Sequence, residues 1–186
     1  MHSRTLVLAL AGLVAISALA QTTPKQPSPP PEPKAARPED VDSPEALLNA
    51  VYDTISGPSG KKRDWDRMRS LFLPDAKMAA TAKRPDGTVI RRSFTVEEYI
   101  ERNSKPMEEG GFFENGIHHH VDRYGQMAQA FSAYESRKEL SDKEPLARGI
   151  NCFQLWSDGK RWWISNLIWE GESPGNPIPE KFLKGG

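Results

Sequence analysis

The segment 147–169, ARGINCFQLWSDGKRWWISNLIW, constrains the fold of this chain more than any other part of its sequence. It predicts two aromatic β-strands joined by the turn from Ser157 to Lys160, because the Asp-Gly pair within that turn supplies the positive φ that a tight hairpin requires. A hairpin this apolar is unstable alone in water, so we expect it to pack within a larger, strongly bent sheet. The segment contains no recognisable catalytic motif.

The N-terminus has the three parts of an export signal. A weakly basic start is followed by the apolar run 6–20, and Ala18 to Ala20 fits the small-residue rule for signal cleavage. The run is shorter than the roughly 20 apolar residues that a membrane span needs. We therefore expect residues 1–20 to be a signal peptide and the protein to be periplasmic or secreted, without stable membrane insertion after cleavage.

Charge and cysteine content exclude several classes of protein. The chain has 25 basic and 25 acidic residues and a single cysteine, Cys152. It has no basic stripe of the kind that binds nucleic acid or anionic lipid, so we expect neither partner. One cysteine cannot form an internal disulfide, so stability must come from a hydrophobic core. We expect Cys152 to be an apolar filler of that core rather than a reactive thiol.

Composition divides the chain into four parts. Residues 21–41 are rich in proline and nearly free of large apolar side chains, which predicts an extended linker. Residues 42–172 are enough for one domain with a single core. Residues 173–186 are rich in proline and glycine and are predicted to be a tail.

The order of the predicted elements indicates the fold class. Helical patterns begin near Ser43, Asp64 and Thr95, and the third is expected to extend to about Ser104. Two short strands lie between the second and third helices, and four long antiparallel strands follow the third. This order indicates an α+β fold, in which a curved antiparallel sheet packs against about three helices from the N-terminal half.

Three segments carry a resemblance to a known superfamily. They are YDTISG at 52–57, DWDRMRSLFLPDAKM at 64–78 and GINCFQLWSDGKRWWISNLIW at 149–169. Together with the order of elements, they resemble the nuclear transport factor 2-like superfamily, and its SnoaL-like branch in particular. The resemblance implies a cone-shaped sheet around a pocket, closed on one side by helices, and a homodimer through the open sheet face. It does not define a function, because the superfamily contains enzymes, binders and adaptor modules.

The ketosteroid-isomerase-like members of this superfamily offer a specific comparison. They use a tyrosine of the first helix and two aspartates, one of them as the base. The resemblance places the tyrosine at Tyr52, the base at Ala80 or an immediate neighbour, and the second aspartate near Cys152, beside Asn151. Two of the three groups are therefore absent, and we expect no carboxylate inside the cone.

The run His118-His119-His120 is the other candidate for chemistry. Strand alternation puts His118, His120 and Glu114 on one face and His119 on the other. No third strong ligand at metal-site spacing is evident beside the two histidines, and structural zinc takes four ligands, so we expect a solvated face, with no metal and no cofactor. If the face of His119 points into the cone, this histidine is either a general base or a hydrogen-bonded core residue.

Amides and tryptophans complete the set of candidates. Asn151 and Asn166 lie mid-strand among aromatic residues, where a buried amide needs hydrogen-bond partners; they either line the cavity or bond to loop backbone. Alternation predicts that Trp163 and Trp169 share one sheet face and that Trp162 lies on the other. The predicted pocket residues are Tyr52, His119, Asn151, Trp163 and Asn166.

Three hypotheses for function follow from these observations. The first is non-catalytic binding of a small apolar or amphipathic molecule, because the aromatic pocket lacks a base. The second is an isomerase, cyclase or hydratase of SnoaL-like type that uses Tyr52 and His119, with Asn151 or Arg123 as a polarising group. The third is a dimeric adaptor module without a ligand.

Overall fold

The computed structural model describes residues 35–184. The predicted signal peptide and residues 21–34 of the predicted linker lie outside the described residues. Within residues 35–184, no helix is both long enough and apolar enough to cross a membrane. The helices are α1 (Pro38–Val41), α2 (Pro44–Ile55), α3 (Trp65–Leu71) and α4 (Val96–Gly110), and a single 3₁₀ turn spans Glu180–Phe182.

Side-chain caps begin the three longer helices where the sequence predicts them. Ser43 caps α2 with Pro44 at the first helical position, and Asp64 caps α3. Thr95 and Glu98 form the reciprocal capping box of α4. These caps bind amide groups that the first turn of a helix leaves without partners. The helix α4 is longer than predicted.

In the described part of the chain, six strands form one open sheet behind the helices. The strand order is β2-β1-β6-β5-β4-β3, so β2 and β3 are the edges. The pair β1–β6 is parallel and every other pair is antiparallel, which corrects the prediction of a purely antiparallel sheet. The α+β class is confirmed. The strands are β1 (Phe72–Lys83), β2 (Val89–Thr95), β3 (Phe113–Tyr124), β4 (Met127–Arg137), β5 (Ala147–Ser157) and β6 (Trp162–Gly171).

A β-bulge in β6 changes which tryptophan faces the core. The pairing of β6 with β5 shifts by one residue at Ser165. An extra residue reverses the alternation of side chains beyond it. Trp162 is consequently buried in the core against which Trp169 also packs, so the prediction that Trp163 shares a face with Trp169 is wrong.

The core lies between the inner face of the sheet and helices α2, α3 and α4. Burial of each large apolar side chain stabilises the fold by about 1.5–3 kcal/mol. The largest fully buried side chains belong to both layers and include Leu47, Leu48, Met68, Phe72 and Phe153.

The folded domain extends beyond both predicted boundaries. Residues 38–41, assigned to the linker, form α1, whose Val41 is buried and whose Asp40 carboxylate accepts from Arg67 at 2.8 Å. In the predicted tail, Phe182 stacks on Phe131 of β4 with ring centres 5.1 Å apart. Burial of Val41 and Ile178, the Arg67–Asp40 ion pair and this ring contact hold the two segments, and the proline-rich composition of the segments does not indicate these contacts.

Candidate functional site

A cavity of about 210 Å³ lies between helices α2, α3 and α4 and the inner face of the sheet. Its wall is mostly apolar. The main apolar side chains are those of Val51, Ile55, Met68, Met107, Leu167 and Trp169. Five polar side chains also line it: Tyr99, Asn103, Glu114, Tyr134 and Asn151.

Glu114 is the acidic group of this cavity. Its side chain keeps some accessible surface because it faces the cavity. Protein atoms nevertheless surround the carboxyl closely, and this burial raises its pKa to about 7. A hydrogen bond from Asn151 at 3.3 Å opposes this shift only in part. The prediction that no carboxylate lies inside the cone is therefore wrong.

A second β-bulge explains why simple alternation misplaced Glu114. The pairing of β3 with β4 shifts between Gly116 and His118, so Ile117 is the extra residue. The bulge reverses the alternation, which puts Glu114 on the inner face together with His119 rather than with His118. A glycine inside a strand often marks such a bulge, so Gly116 was the available signal. A Cβ at Gly116 would lie 2.3 Å from the ring of His119.

Two tyrosines place hydroxyl groups near the Glu114 carboxyl. Burial raises the pKa of Tyr134 to about 12, and the charge of Glu114 adds to this shift. Burial followed by the same charge also raises the pKa of Tyr99. Both phenols therefore stay protonated at neutral pH and are available as hydrogen-bond donors. Tyr134 lies close against Gly149, where a Cβ would be 2.6 Å from its hydroxyl oxygen.

Tyr52 lies one hydrogen bond away from the cavity. The amide Nδ2 of Asn151, which lines the cavity, donates to the Tyr52 oxygen at 3.1 Å. The Tyr52 hydroxyl also bonds to Ser132 Oγ at 2.5 Å. Burial raises the pKa of Tyr52 well above its ordinary value. The tyrosine is thus a neutral member of the wall behind Asn151.

His119 is hydrogen-bonded to Ser132, the partner of Tyr52, on the side away from the cavity. Its Nδ1 lies 2.9 Å from Ser132 Oγ and its Nε2 lies 3.1 Å from Asn49 Oδ1 on the exposed side of α2. The imidazole stacks on the Tyr52 ring with ring centres 6.1 Å apart. Burial lowers the pKa of His119, which favours the neutral imidazole. The structure thus shows the hydrogen-bonded alternative that the sequence left open.

The remaining candidates lie elsewhere. Trp163 donates its indole N–H to Asp158 at 2.9 Å and lies under the Arg161 guanidinium, at the hairpin end of β6. Asn166 neighbours the cavity residue Leu167 on β6, so alternation turns its side chain to the opposite face. Arg123 covers the ring of Trp162 at 4.8 Å. The structure therefore brings Tyr52, His119 and Asn151 together, and separates Trp163, Asn166 and Arg123 from them.

Within residues 35–184, no group of three or more histidine, cysteine or acidic side chains is arranged to hold a metal ion. His120 instead lies 3.3 Å from Asp122, with both side chains largely exposed. The thiol of Cys152 is half-buried on β5, and burial raises its pKa.

Comparison with known proteins found similar solved structures but no similar sequence. No family model and no curated protein sequence matches the chain. One similar structure is a nuclear transport factor 2-like protein of unknown function from Methylobacillus flagellatus KT, with 12% identity, a TM-score of 0.47, and coverage of 69% of this chain and 89% of that chain. Another, from Nostoc punctiforme PCC 73102, is of unknown function with a cystatin-like fold; it has 12% identity, a TM-score of 0.49, and coverage of 74% and 98%.

A third similar structure is a proposed ketosteroid isomerase from Shewanella frigidimarina NCIMB 400. It has 14% identity, a TM-score of 0.46, and coverage of 73% of this chain and 99% of that chain. The resemblance to the nuclear transport factor 2-like superfamily stays a prediction from the sequence at these identities and TM-scores, and nothing in these structures distinguishes the SnoaL-like branch. Likeness at this level of identity carries no activity over to this chain.

Proposed function

We propose that the domain is an enzyme that transfers a proton to or from a small molecule bound in the cavity, with Glu114 as the general acid–base group. One observation carries the proposal: the Glu114 carboxyl lies in a mostly apolar cavity and has a pKa of about 7. A carboxyl with a pKa near the working pH can both accept and donate a proton. This replaces non-catalytic binding as the leading hypothesis, because that hypothesis depended on the absence of a carboxylate.

The chemistry of the wall defines the class of substrate. Among residues 35–184, no lysine, arginine or histidine lines the cavity, so this part of the chain offers no counter-charge there for a carboxylate or phosphate. The phenols of Tyr99 and Tyr134 can donate to a neutral oxygen that gains negative charge as Glu114 removes a proton from the adjacent carbon. The substrate we propose is an uncharged carbonyl compound with an acidic C–H group.

The volume of the cavity limits the size of that substrate. An apolar cavity of about 150 Å³ accepts benzene. A cavity of about 210 Å³ therefore suits a single ring with small substituents, or a chain of similar size. A four-ring substrate exceeds this volume and would extend out of the cavity on its open side.

Proton exchange at carbon tests the proposal directly. Cyclic ketones of one ring are incubated with the protein in D₂O, and loss of the α-proton signal is followed by NMR. We expect exchange above the buffer rate, falling about 100-fold or more in Glu114→Gln, since general acid–base catalysis contributes 10²–10⁴-fold. The matched control is Glu101→Gln, which removes a charge from the exposed side of α4. Exchange that persists in Glu114→Gln, or that never exceeds the buffer rate for any ketone tested, contradicts the proposal.

Export and self-association remain part of the proposal. The apolar run 6–20 with its cleavage site supports export, and N-terminal sequencing of mature protein from its native host tests it.

Met127 and Trp156 are paired on adjacent strands and are 59% and 42% exposed, which supports a dimer through the outer sheet face. Light scattering should then report a dimer, and Trp156→Arg should report a monomer.

A further inference from the structure

Asn151 presents a hydrogen-bond acceptor to the cavity beside Glu114. This residue of β5 is only 6% exposed. Its amide nitrogen donates to the Tyr52 oxygen at 3.1 Å and to Glu114 Oε1 at 3.3 Å, whereas its oxygen Oδ1 has no partner among residues 35–184. No fully buried side-chain nitrogen or oxygen in that range lacks a partner, so Oδ1 keeps accessible surface. The surface that Asn151 lines is the cavity.

The carboxylate of Glu114 fixes which way the amide points. Both N–H groups of Asn151 are used, and an ionised carboxylate can only accept hydrogen bonds. If the amide were turned over, Oδ1 would face the carboxylate at the same short distance, and two acceptors would repel each other. The ionised state of Glu114 therefore holds Nδ2 towards the carboxylate and leaves Oδ1 for the cavity.

Two phenols of the cavity are also without partners. Tyr134 is 7% exposed, and in the described part of the chain neither its hydroxyl nor that of Tyr99 hydrogen-bonds to another group. Both residues line the cavity, and burial raises the pKa of both phenols, so they stay protonated at neutral pH. Beside its carboxyl, the cavity thus offers two donors and, at Asn151, one acceptor.

A hydroxyl group on the substrate complements these three groups. It can donate to Oδ1 of Asn151 while its own oxygen accepts from one phenol, whereas an amide N–H can only donate. The other phenol is left for the carbonyl oxygen, which gains negative charge as the proton leaves carbon. The second carboxylate oxygen of Glu114 must face the C–H group to remove this proton, so it is not available to the hydroxyl.

The position of Asn151 fixes where the hydroxyl lies on the substrate. Oδ1 belongs to the same amide as Nδ2, which contacts Glu114 Oε1. A hydroxyl bound to Oδ1 therefore lies beside the carbon from which Glu114 takes the proton.

We propose that Asn151 is a specificity-determining residue, whose Oδ1 accepts a hydrogen bond from a hydroxyl next to the carbonyl group, so that the substrate is an α-hydroxy carbonyl compound. The inference rests on the proposed function in taking Glu114 as the base. The proton passes from the hydroxyl-bearing carbon to Glu114, and the electron pair of the C–H bond forms an enolate with its charge on the carbonyl oxygen. Return of a proton from Glu114 to carbon reverses this step.

The apolar wall next to Asn151 suits an aromatic ring on such a compound. Trp169 pairs with Asn151 across β5 and β6 and lines the cavity. A flat ring can pack against the indole while its polar end lies at the carboxyl. α-Hydroxyacetophenone, which has one ring, one carbonyl and one hydroxyl, is therefore a suitable probe for a cavity of about 210 Å³.

Binding of three related ketones tests the inference without turnover. α-Hydroxyacetophenone, acetophenone and α-methoxyacetophenone are titrated at pH 8 into wild type and Asn151→Ala, and dissociation constants are obtained from backbone amide shifts in NMR spectra. We expect wild type to bind the hydroxy ketone roughly 10-fold more tightly than either other ketone, because these leave a buried acceptor unpaired. In Asn151→Ala, the hydroxy ketone and acetophenone should bind about equally.

Asn103→Ala is the matched control. Asn103 also brings an amide to the cavity wall, but it lies on α4, where its nitrogen donates to the Tyr99 carbonyl at 2.7 Å and makes no bond to Glu114. This variant should keep the preference for the hydroxy ketone. If Asn151→Ala does not fold, the order of the three ketones in wild type decides by itself.

Four results would overturn the inference. They are equal binding of the three ketones to wild type, a preference that survives in Asn151→Ala, a preference that is lost in Asn103→Ala, and failure of all three ketones to bind. A merely structural role of Asn151 would weaken all three ketones alike and leave the preference unchanged. The exchange assay with cyclic ketones decides separately whether the domain is the proposed enzyme.

Discussion

A single carboxyl distinguishes this cavity from an inert apolar one. Glu114 is held where its charged form is poorly solvated, and the nearest polar groups are an amide and neutral phenols rather than a base. A buried carboxyl in such a place has a raised pKa for the same reason that it is useful as an acid–base group. Its position therefore has a cost in stability that can be measured.

The stability of the domain should depend on pH through Glu114. The pKa of this carboxyl is about 7 in the folded state, against an ordinary value of 4.5. A carboxyl whose pKa is higher in the folded state than in the unfolded state stabilises the fold at pH values below its unfolded-state pKa. This stabilisation is lost as the pH rises through the folded-state pKa. We expect wild type to lose about 3 kcal/mol of unfolding free energy relative to Glu114→Gln between pH 4.5 and pH 8.

Urea denaturation of both proteins across this range checks the prediction. Glu101→Gln is again the control, and its difference from wild type should stay nearly constant with pH. A constant difference between wild type and Glu114→Gln would contradict the account of this residue.

At the scale of elements, one arginine fixes the helix ends beside the cavity. The buried Arg63 guanidinium donates to the carbonyls of Ile55, Gly57, Lys61 and Met107. Ile55 ends α2 and Met107 lies in the last turn of α4, where helix carbonyls have no partners within the helix. Ile55 and Met107 also line the cavity, so the arginine positions two of its walls.

Replacement of this arginine should destabilise the whole domain. Lysine carries the same charge but cannot bond to four separated carbonyls, and each buried polar group left unpaired costs about 1–3 kcal/mol. We expect Arg63→Lys to lower the unfolding free energy by about 3 kcal/mol in urea denaturation. The exposed neighbour Lys62→Met is the control. If Arg63→Lys loses no more unfolding free energy than Lys62→Met, water replaces the hydrogen bonds of the arginine and the prediction is wrong.

The elements show what the sequence can and cannot predict. The helix starts at Ser43, Asp64 and Thr95 were predictable because capping depends on neighbouring residues. The bulge at Ser165 was not, because it depends on how the strand pairs with a distant partner, and Gly116 was the one sign in the sequence of the bulge at Ile117. One extra residue in each strand was enough to turn Glu114 inward and Trp163 away from the core.

At the scale of the molecule, patterns of helix and strand were enough to predict the α+β class. The parallel pairing of β1 with β6 was not predictable, since the two strands are distant in sequence. The alternation of side chains along a strand does not indicate whether its neighbour runs parallel or antiparallel. Of the five predicted pocket residues, Asn151 lines the cavity, and Tyr52 and His119 are joined to it through hydrogen bonds behind the wall. The sequence did not place the Glu114 carboxyl in the cavity, because doing so requires the register of β3 against β4.

The carboxyl-carbon NMR titration of Glu114 in the wild-type protein, assigned by comparison with Glu114→Gln, shows whether this carboxyl can act as the acid–base group of the cavity. We expect a midpoint of about 7. A midpoint near the ordinary value of 4.5 would mean that water solvates the carboxylate, and the cavity would then lack the acid–base group on which the proposed function depends.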